Sequence, residues 1–160
     1  MKILITDSKP YLSLAEKRAL KKETTLILKA LNLPSHTEVS ISLVDDITMR
    51  KLNETYRGIK RTTDVLSFPQ YVINPDYISS AIASNNKQNF LLGDIIISIE
   101  TAKRQAKRHK TPTKKEIQRL IIHSLLHLIG HNHKKRKETI AMRKKEKKLL
   151  SLVQPKQGRL

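Results

Sequence analysis

Three histidines carry the most distinctive chemistry in this 160-residue chain: His123, His127 and His133, in the segment TKKEIQRLIIHSLLHLIGHNH. Four apart in a helix, His123 and His127 project from one face about 6 Å apart along its axis, close enough for two imidazoles to converge on one ion. Gly130 supplies a residue suited to the left-handed conformation that ends a helix, and the turn brings His133 toward the other two. Three neutral imidazoles around one zinc ion, with a fourth position left open, is the pattern of a catalytic rather than a structural site. Such an ion polarises a phosphate or carbonyl oxygen, or lowers the pKa of a bound water toward about 7. A single histidine is ordinarily explained as a hydrogen-bonded core or surface residue. Two in an apolar helix, where an unpartnered imidazole is costly, and a third just past a glycine favour the metal. His131 competes for the third place if the helix runs one more turn, and Gly130 argues against that continuation.

The same spacing matches the metzincin peptidases, which place a glutamate directly after the first histidine as general base. Here that position is Ser124, and a hydroxyl cannot serve as the base that activates water. The metal cage survives, while a zinc peptidase loses its central catalytic group.

Composition narrows the substrate. With no cysteine, thiolate ligands and disulfide scaffolds are excluded. Thirty-two Lys and Arg against fourteen Asp and Glu give a formal charge of +18 and a pI near 10.3, the electrostatic footprint of a protein that binds polyphosphate. Aromatic residues make up 4% of the chain, too few for a base-stacking platform. Phosphate contacts therefore carry any nucleic-acid binding. Lys134, Lys135, Arg136, Lys144, Lys147 and Lys148 follow the histidines at once and would form an RNA-tracking surface beside them; the competing reading is a solvated helix partly compensated by Glu138 and Glu146. No apolar run reaches the length of a membrane span or a signal-peptide core. No membrane partner and a cytoplasmic location are the expectations.

The elements that must position these residues are legible in outline. Residues 3–6 predict a strand and residues 13–31 a helix ending at Asn32 and Pro34. Residues 38–44 alternate Val39, Ile41 and Leu43 with polar neighbours, the period of a half-buried strand. Asp45 or Asp46 caps the next helix, which stops near Gly58. Residues 65–68 form a strand closed by Pro69. Residues 71–89, rich in Ser, Asn and Pro, read as a long surface loop. Residues 91–99 are a strongly apolar strand interrupted by Gly93 and Asp94, followed by a basic helix over 100–109. Helices over 114–129 and 138–152 complete the chain. Thr113 and Glu116 have the spacing of a capping box, and the apolar residues after Ile117 cover nearly every face, so the histidine helix is buried. This order predicts an α+β fold: one domain over residues 1–152, a small mixed sheet of about four strands flanked by helices, and a basic tail at 153–160 that frays.

Beyond its histidines, the chain resembles the YbeY family in three blocks. The motif of that family runs histidine, small residue, variable residue, Leu-His-Leu, variable residue, Gly, aromatic, Asp, His, and residues 123–133 read HSLLHLIGHNH. LNETYRGIKRTTDVLSFP at residues 52–69 is similar to its second signature, and LLGDIIIS at residues 91–98 to its third. The blocks occur in the family's order over about half the chain. The resemblance implies one zinc ion on His123, His127 and His133, and single-strand-specific endoribonuclease activity in ribosomal RNA maturation and ribosome quality control, with the small ribosomal subunit as partner. It carries a functional arginine onto Arg57 and a ribosomal-partner contact onto Asp94. Three positions depart from the pattern: Ser124 for glycine, His131 for the aromatic, and Asn132 for the acid. Asn132 can hydrogen-bond a ligand but brings no charge.

The catalytic expectation rests on His123 with the metal and on Arg57, whose planar fork suits a phosphate. Asp64 is a candidate base or ligand-supporting acid, although read alone it is equally a turn residue. Water attack and internal attack by the RNA 2′-hydroxyl are both compatible with these residues. The alternatives are a non-catalytic, metal-containing ribosome-assembly or RNA-binding factor and, behind it, the zinc peptidase.

Overall fold

The computed structural model describes residues 1–70, 75–83, 89–131 and 134–154, with no description of the side chains of residues 75–77. The alternation read in the sequence builds its sheet. β1 (Lys2–Asp7), β2 (Thr37–Val44) and β4 (Phe90–Ser98) run parallel, and β3 (Val65–Pro69) pairs antiparallel with β4, in the order β1-β2-β4-β3. The fold is α+β with a four-stranded mixed sheet flanked by helices.

One face of the sheet holds the main core. Val39, Ile41 and Leu43 of β2 and Leu92, Ile95 and Ile97 of β4 pack there against α1 (Leu14–Ala30) and α5 (Thr113–Leu128). In α5, Ile117, Leu120, Ile121, Ile122, Leu125, Leu126 and Leu128 are all buried, as a helix apolar on nearly every side requires. The opposite face is covered at one end by α2 (Asp46–Arg57), where Val44, Met49 and Leu66 are buried. Two more helices, α4 (Ile99–His109) and α6 (Arg136–Val153), pack against α5.

Local chemistry sets the helix ends. Ser13 and Glu16 form a reciprocal capping box at α1. At α2 the cap is Asp45, which accepts from the Thr48 N–H at 2.8 Å, while Gly58 closes the helix in the left-handed region. Asp46 instead ties α2 to α4: its Oδ1 accepts from Ser98 at 2.6 Å and from Thr101 at 2.7 Å, and its Oδ2 pairs with Arg104 at 2.7 Å.

Two expectations are corrected. Residues 75–83, within the segment read as loop, form helix α3 (Pro75–Ala83), whose Ile78 and Ala81, three apart, pack on the core; the Ser and Asn around them hid that spacing. Residues 71–74 and 84–88 lie outside the described part. The capping box expected from Thr113 does not form, because the cap position belongs to Pro112 and Thr113 is already helical. Glu116 is buried and bound instead by Arg119 at 2.6 Å and His109 at 3.3 Å. The expected apolar strand runs on through Gly93 and Asp94, with a register shift against β2 between Glu38 and Val39: Gly93 has φ 147°, and a Cβ there would collide with the Phe68 carbonyl oxygen and press on Leu128, so the glycine lets β3 and α5 close onto β4.

Candidate active site

The end of α5 is built by the residues that follow it. Gly130 has φ 96°; its N–H donates to the His127 carbonyl at 3.0 Å, and the His131 N–H reaches back to the Leu126 carbonyl at 2.9 Å. This pair of bonds is a Schellman closure, which satisfies the last carbonyls and turns the chain sharply away. The helix therefore does not run on to present His131 beside its partners. His131 lies 3.2 Å from the Lys145 ammonium, and burial, followed by that neighbouring charge, holds its imidazole below its ordinary pKa. His133 and Asn132 lie outside the described residues.

His123 and His127 are half-buried on a helix whose other faces are packed. Their rings meet edge-on, centroids 4.6 Å apart at 73°, with the two Nε2 atoms 3.1 Å apart. Two nitrogens bound to one tetrahedral ion at 2.0–2.1 Å stand roughly 3.3 Å from each other, so the observed separation fits a shared ion with only a small adjustment. On its far side, His123 Nδ1 lies 2.6 Å from Glu146 Oε1, a carboxylate on α6. Among the described residues no third His, Asp or Glu joins this pair as a metal-binding group.

The histidines form one wall of an open cleft of about 460 Å³. Ser124 continues that wall. The facing wall is Val65, Ser67 and Pro69, the alternate residues of β3 that point toward α5, and the rim is Arg57, Thr63 and Asp64. Arg57 reaches the cleft because α2 ends beside the edge strand β3. Asp64 is anchored: Oδ1 accepts from the Val65 N–H at 2.8 Å, and Oδ2 from Gln105 at 3.1 Å. A carboxylate has about four acceptor positions, so its oxygens keep capacity for a further donor. Ser124 Oγ is buried and has no hydrogen-bond partner among the described residues. The cleft thus gathers two imidazoles, a guanidinium, a carboxylate and a hydroxyl, a set suited to a metal ion and a phosphate.

The other candidates lie elsewhere. Asp94 is exposed on β4 opposite Phe68, on the sheet face away from the histidines. Lys134, Lys135, Arg136, Lys144, Lys147 and Lys148 are exposed on α6 and just before it. Glu146, read in the sequence only as charge compensation, is the site residue that the motif did not announce. Its signal was its phase: Met142 and Leu149, four before and three after it, are buried, so Glu146 falls on the packed stripe of α6. No described helix is long and apolar enough to cross a membrane.

Known proteins share this arrangement of sequence and fold. The family model described as Endoribonuclease YbeY matches residues 4–154. Curated relatives named Endoribonuclease YbeY include that of Caldanaerobacter subterraneus subsp. tengcongensis, 41% identical over 113 residues, covering 71% of this chain and 72% of the relative. That of Thermoanaerobacter sp. is 35% identical over 133 residues, covering 82% and 84%. The solution structure of TM1509 from Thermotoga maritima superposes with a TM-score of 0.64 at 25% identity, over 94% of this chain and 88% of that one. With the matched residues running from β1 through α6, and residues of the 52–69 and 123–133 blocks lining one cleft, the chain belongs to the YbeY endoribonuclease family.

Proposed function

We propose that this protein is a zinc-dependent endoribonuclease that cuts single-stranded RNA in the cleft between α5 and β3, with the ion held by His123, His127 and His133. The observation that carries the reading is the pair of Nε2 atoms 3.1 Å apart on the wall of a cleft whose rim holds Arg57 and Asp64. When bound, zinc supplies a Lewis acid for a phosphate oxygen. The chain's own residues do the rest. Arg57 offers the phosphate a charge-assisted, two-pronged contact at the rim. Asp64, fixed by the Val65 amide and Gln105, presents its remaining acceptor positions to a donor entering the cleft. The cleft is open at its rim, as a strand entering lengthwise requires, and the exposed lysines of α6 extend positive charge away from it. Ribosomal RNA and the small ribosomal subunit are the proposed substrate and partner, in maturation and quality control in the cytoplasm. Asp94, on the far face, would touch a protein or RNA partner without entering the chemistry.

The test is the zinc content of the purified protein and of His127→Ala, followed by cleavage of a single-stranded ribosomal RNA fragment with and without a chelator. The proposal requires about one zinc per chain, cleavage abolished by chelator and restored by zinc, and neither property in the variant. RNA binding without cleavage at full zinc occupancy would overturn the nuclease reading in favour of an assembly factor. Cleavage of a generic protein substrate would favour the peptidase.

A further inference from the structure

We infer that Glu146 is the positioning residue of the histidine pair: its carboxylate holds the proton of His123 on Nδ1 and so turns the Nε2 lone pair of His123 into the cleft. This rests on the metal-site reading above and adds to it a residue from a different helix. A carboxylate offers only acceptors, so the 2.6 Å contact between Glu146 Oε1 and His123 Nδ1 places the hydrogen on Nδ1. A neutral imidazole with Nδ1 protonated has its lone pair on Nε2, the atom that lies 3.1 Å from His127 Nε2.

The position of Glu146 is not that of a solvated acid. Around it, Lys144, Lys147 and Lys148 are exposed, whereas its own side chain is 18% exposed and turned toward α5. It shares the packed stripe of α6 with the buried Met142 and Leu149. Helix packing, rather than a loop, thus fixes where the carboxylate sits relative to His123. Carboxylates that accept the second N–H of a ligating histidine fix its tautomer and ring angle, and their loss generally lowers metal affinity about 10–100-fold. The sequence departure at Asn132 leaves the motif segment itself without an acid, so Glu146 is the carboxylate that the described structure places on a candidate ligand.

The experiment compares zinc affinity, by competition with a chromophoric chelator, in the full-length wild type and in Glu146→Ala, Glu146→Asp and Glu146→Gln. Alongside it, nitrogen-15 spectra of the metal-free proteins read the His123 tautomer. Glu146→Ala should lose about 10–100-fold in affinity and mix its tautomers. Glu146→Asp, which keeps the charge but draws the oxygen back by one methylene, should lose nearly as much. Glu146→Gln, whose amide carbonyl can still accept from Nδ1, should stay closest to the wild type and keep the tautomer. The opposite order, with Asp retained and Gln lost, would assign Glu146 a purely electrostatic role and overturn the inference. So would wild-type affinity in all variants with only thermal stability reduced, since that is the behaviour of a staple between α5 and α6. If the alanine variant does not fold, the Asp and Gln pair decides. A wild type that takes up no zinc instead overturns the metal site itself, and the role of Glu146 with it.

Discussion

Two polar centres adjoin the sheet, and they are built to opposite rules. Around Asp46, which joins α2 to α4, the hydroxyls of Ser98 and Thr101 and the guanidinium of Arg104 converge on two oxygens, and the Asp46 amide is taken by Glu100 at 2.8 Å. Burial pushes the Asp46 carboxyl up, and the Ser98, Thr101 and Arg104 contacts together outweigh it, so its pKa lies below the ordinary carboxylate value. The cleft leaves capacity unused: Ser124 Oγ in its wall is buried without a partner among the described residues, as is, behind its rim, Oε1 of Gln105, whose other atom binds Asp64. Buried polar groups are normally satisfied, and exceptions point to a ligand or a functional need. A closed network stabilises; an open one waits for something to bind.

Paired substitutions should separate the two centres. His127→Ala should abolish zinc uptake and cleavage while leaving thermal stability nearly unchanged in the metal-free protein, because the ring is half-buried at an open cleft. Asp46→Ala should do the reverse. It strands the hydroxyls of Ser98 and Thr101 and should cost roughly 2 kcal/mol, a fall in Tm of roughly 5 °C, with zinc affinity and kcat retained. Equal loss of stability in both variants, read by calorimetry with chelator present, would erase the distinction. Within the cleft, Arg57→Ala should lower kcat/KM for single-stranded RNA about 10–100-fold, the range for one charge-assisted contact, with zinc content unchanged. A variant with full activity would place Arg57 outside the reaction.

How much of this contrast was readable beforehand depended on whether the signal was local. The Asp45–Asp46 pair, Gly58 and Gly130 were marked by cap chemistry that acts within a few residues, and the strands by alternation, so most elements and the two helical histidines followed from the chain itself, while the choice of Asp45 as the cap needed the structure. Glu146 was not readable as a partner of His123, because 23 residues separate them and only the packing of α6 on α5 joins them. Asp94 shows a related limit. Its alternation places it on a face of β4, but only the position of α5 makes that the face away from the histidines. Helix α3 was missed because its apolar residues are few and its polar ones resemble loop composition.

A weaker effect tests the surface beyond the cleft. Lys147 and Lys148 are exposed on α6, and if each neutralises one RNA phosphate, the double change Lys147→Ala with Lys148→Ala should reduce the slope of log affinity against log salt by about 1.4 for a single strand. Cleavage at low salt should be nearly unaffected. An unchanged slope would mean that these lysines are merely solvated and that RNA leaves the cleft by another path.

The smallest expected effect concerns acid and falls at the start of α2, beside Asp46. The Asp45 carboxyl caps α2, and the Thr48 amide, with the Lys9 ammonium adding to it, lowers its pKa from 3.8 to about 2. A group whose folded-state pKa is depressed contributes stability that is fully present above its unfolded value and is lost as pH falls toward the folded one. Stability should therefore decline between about pH 4 and pH 2, with Asp46 and Asp7, both also lowered, adding to the slope. Asp45→Asn keeps a capping oxygen but cannot titrate. It should flatten part of that decline in urea titrations while giving up the Lys9 pair, 3.2 Å long and exposed on the lysine side, at neutral pH. If its stability falls with acid as steeply as that of the wild type, the cap is not the titrating element and the decline belongs to the other lowered carboxyls, Asp46 and Asp7 among them.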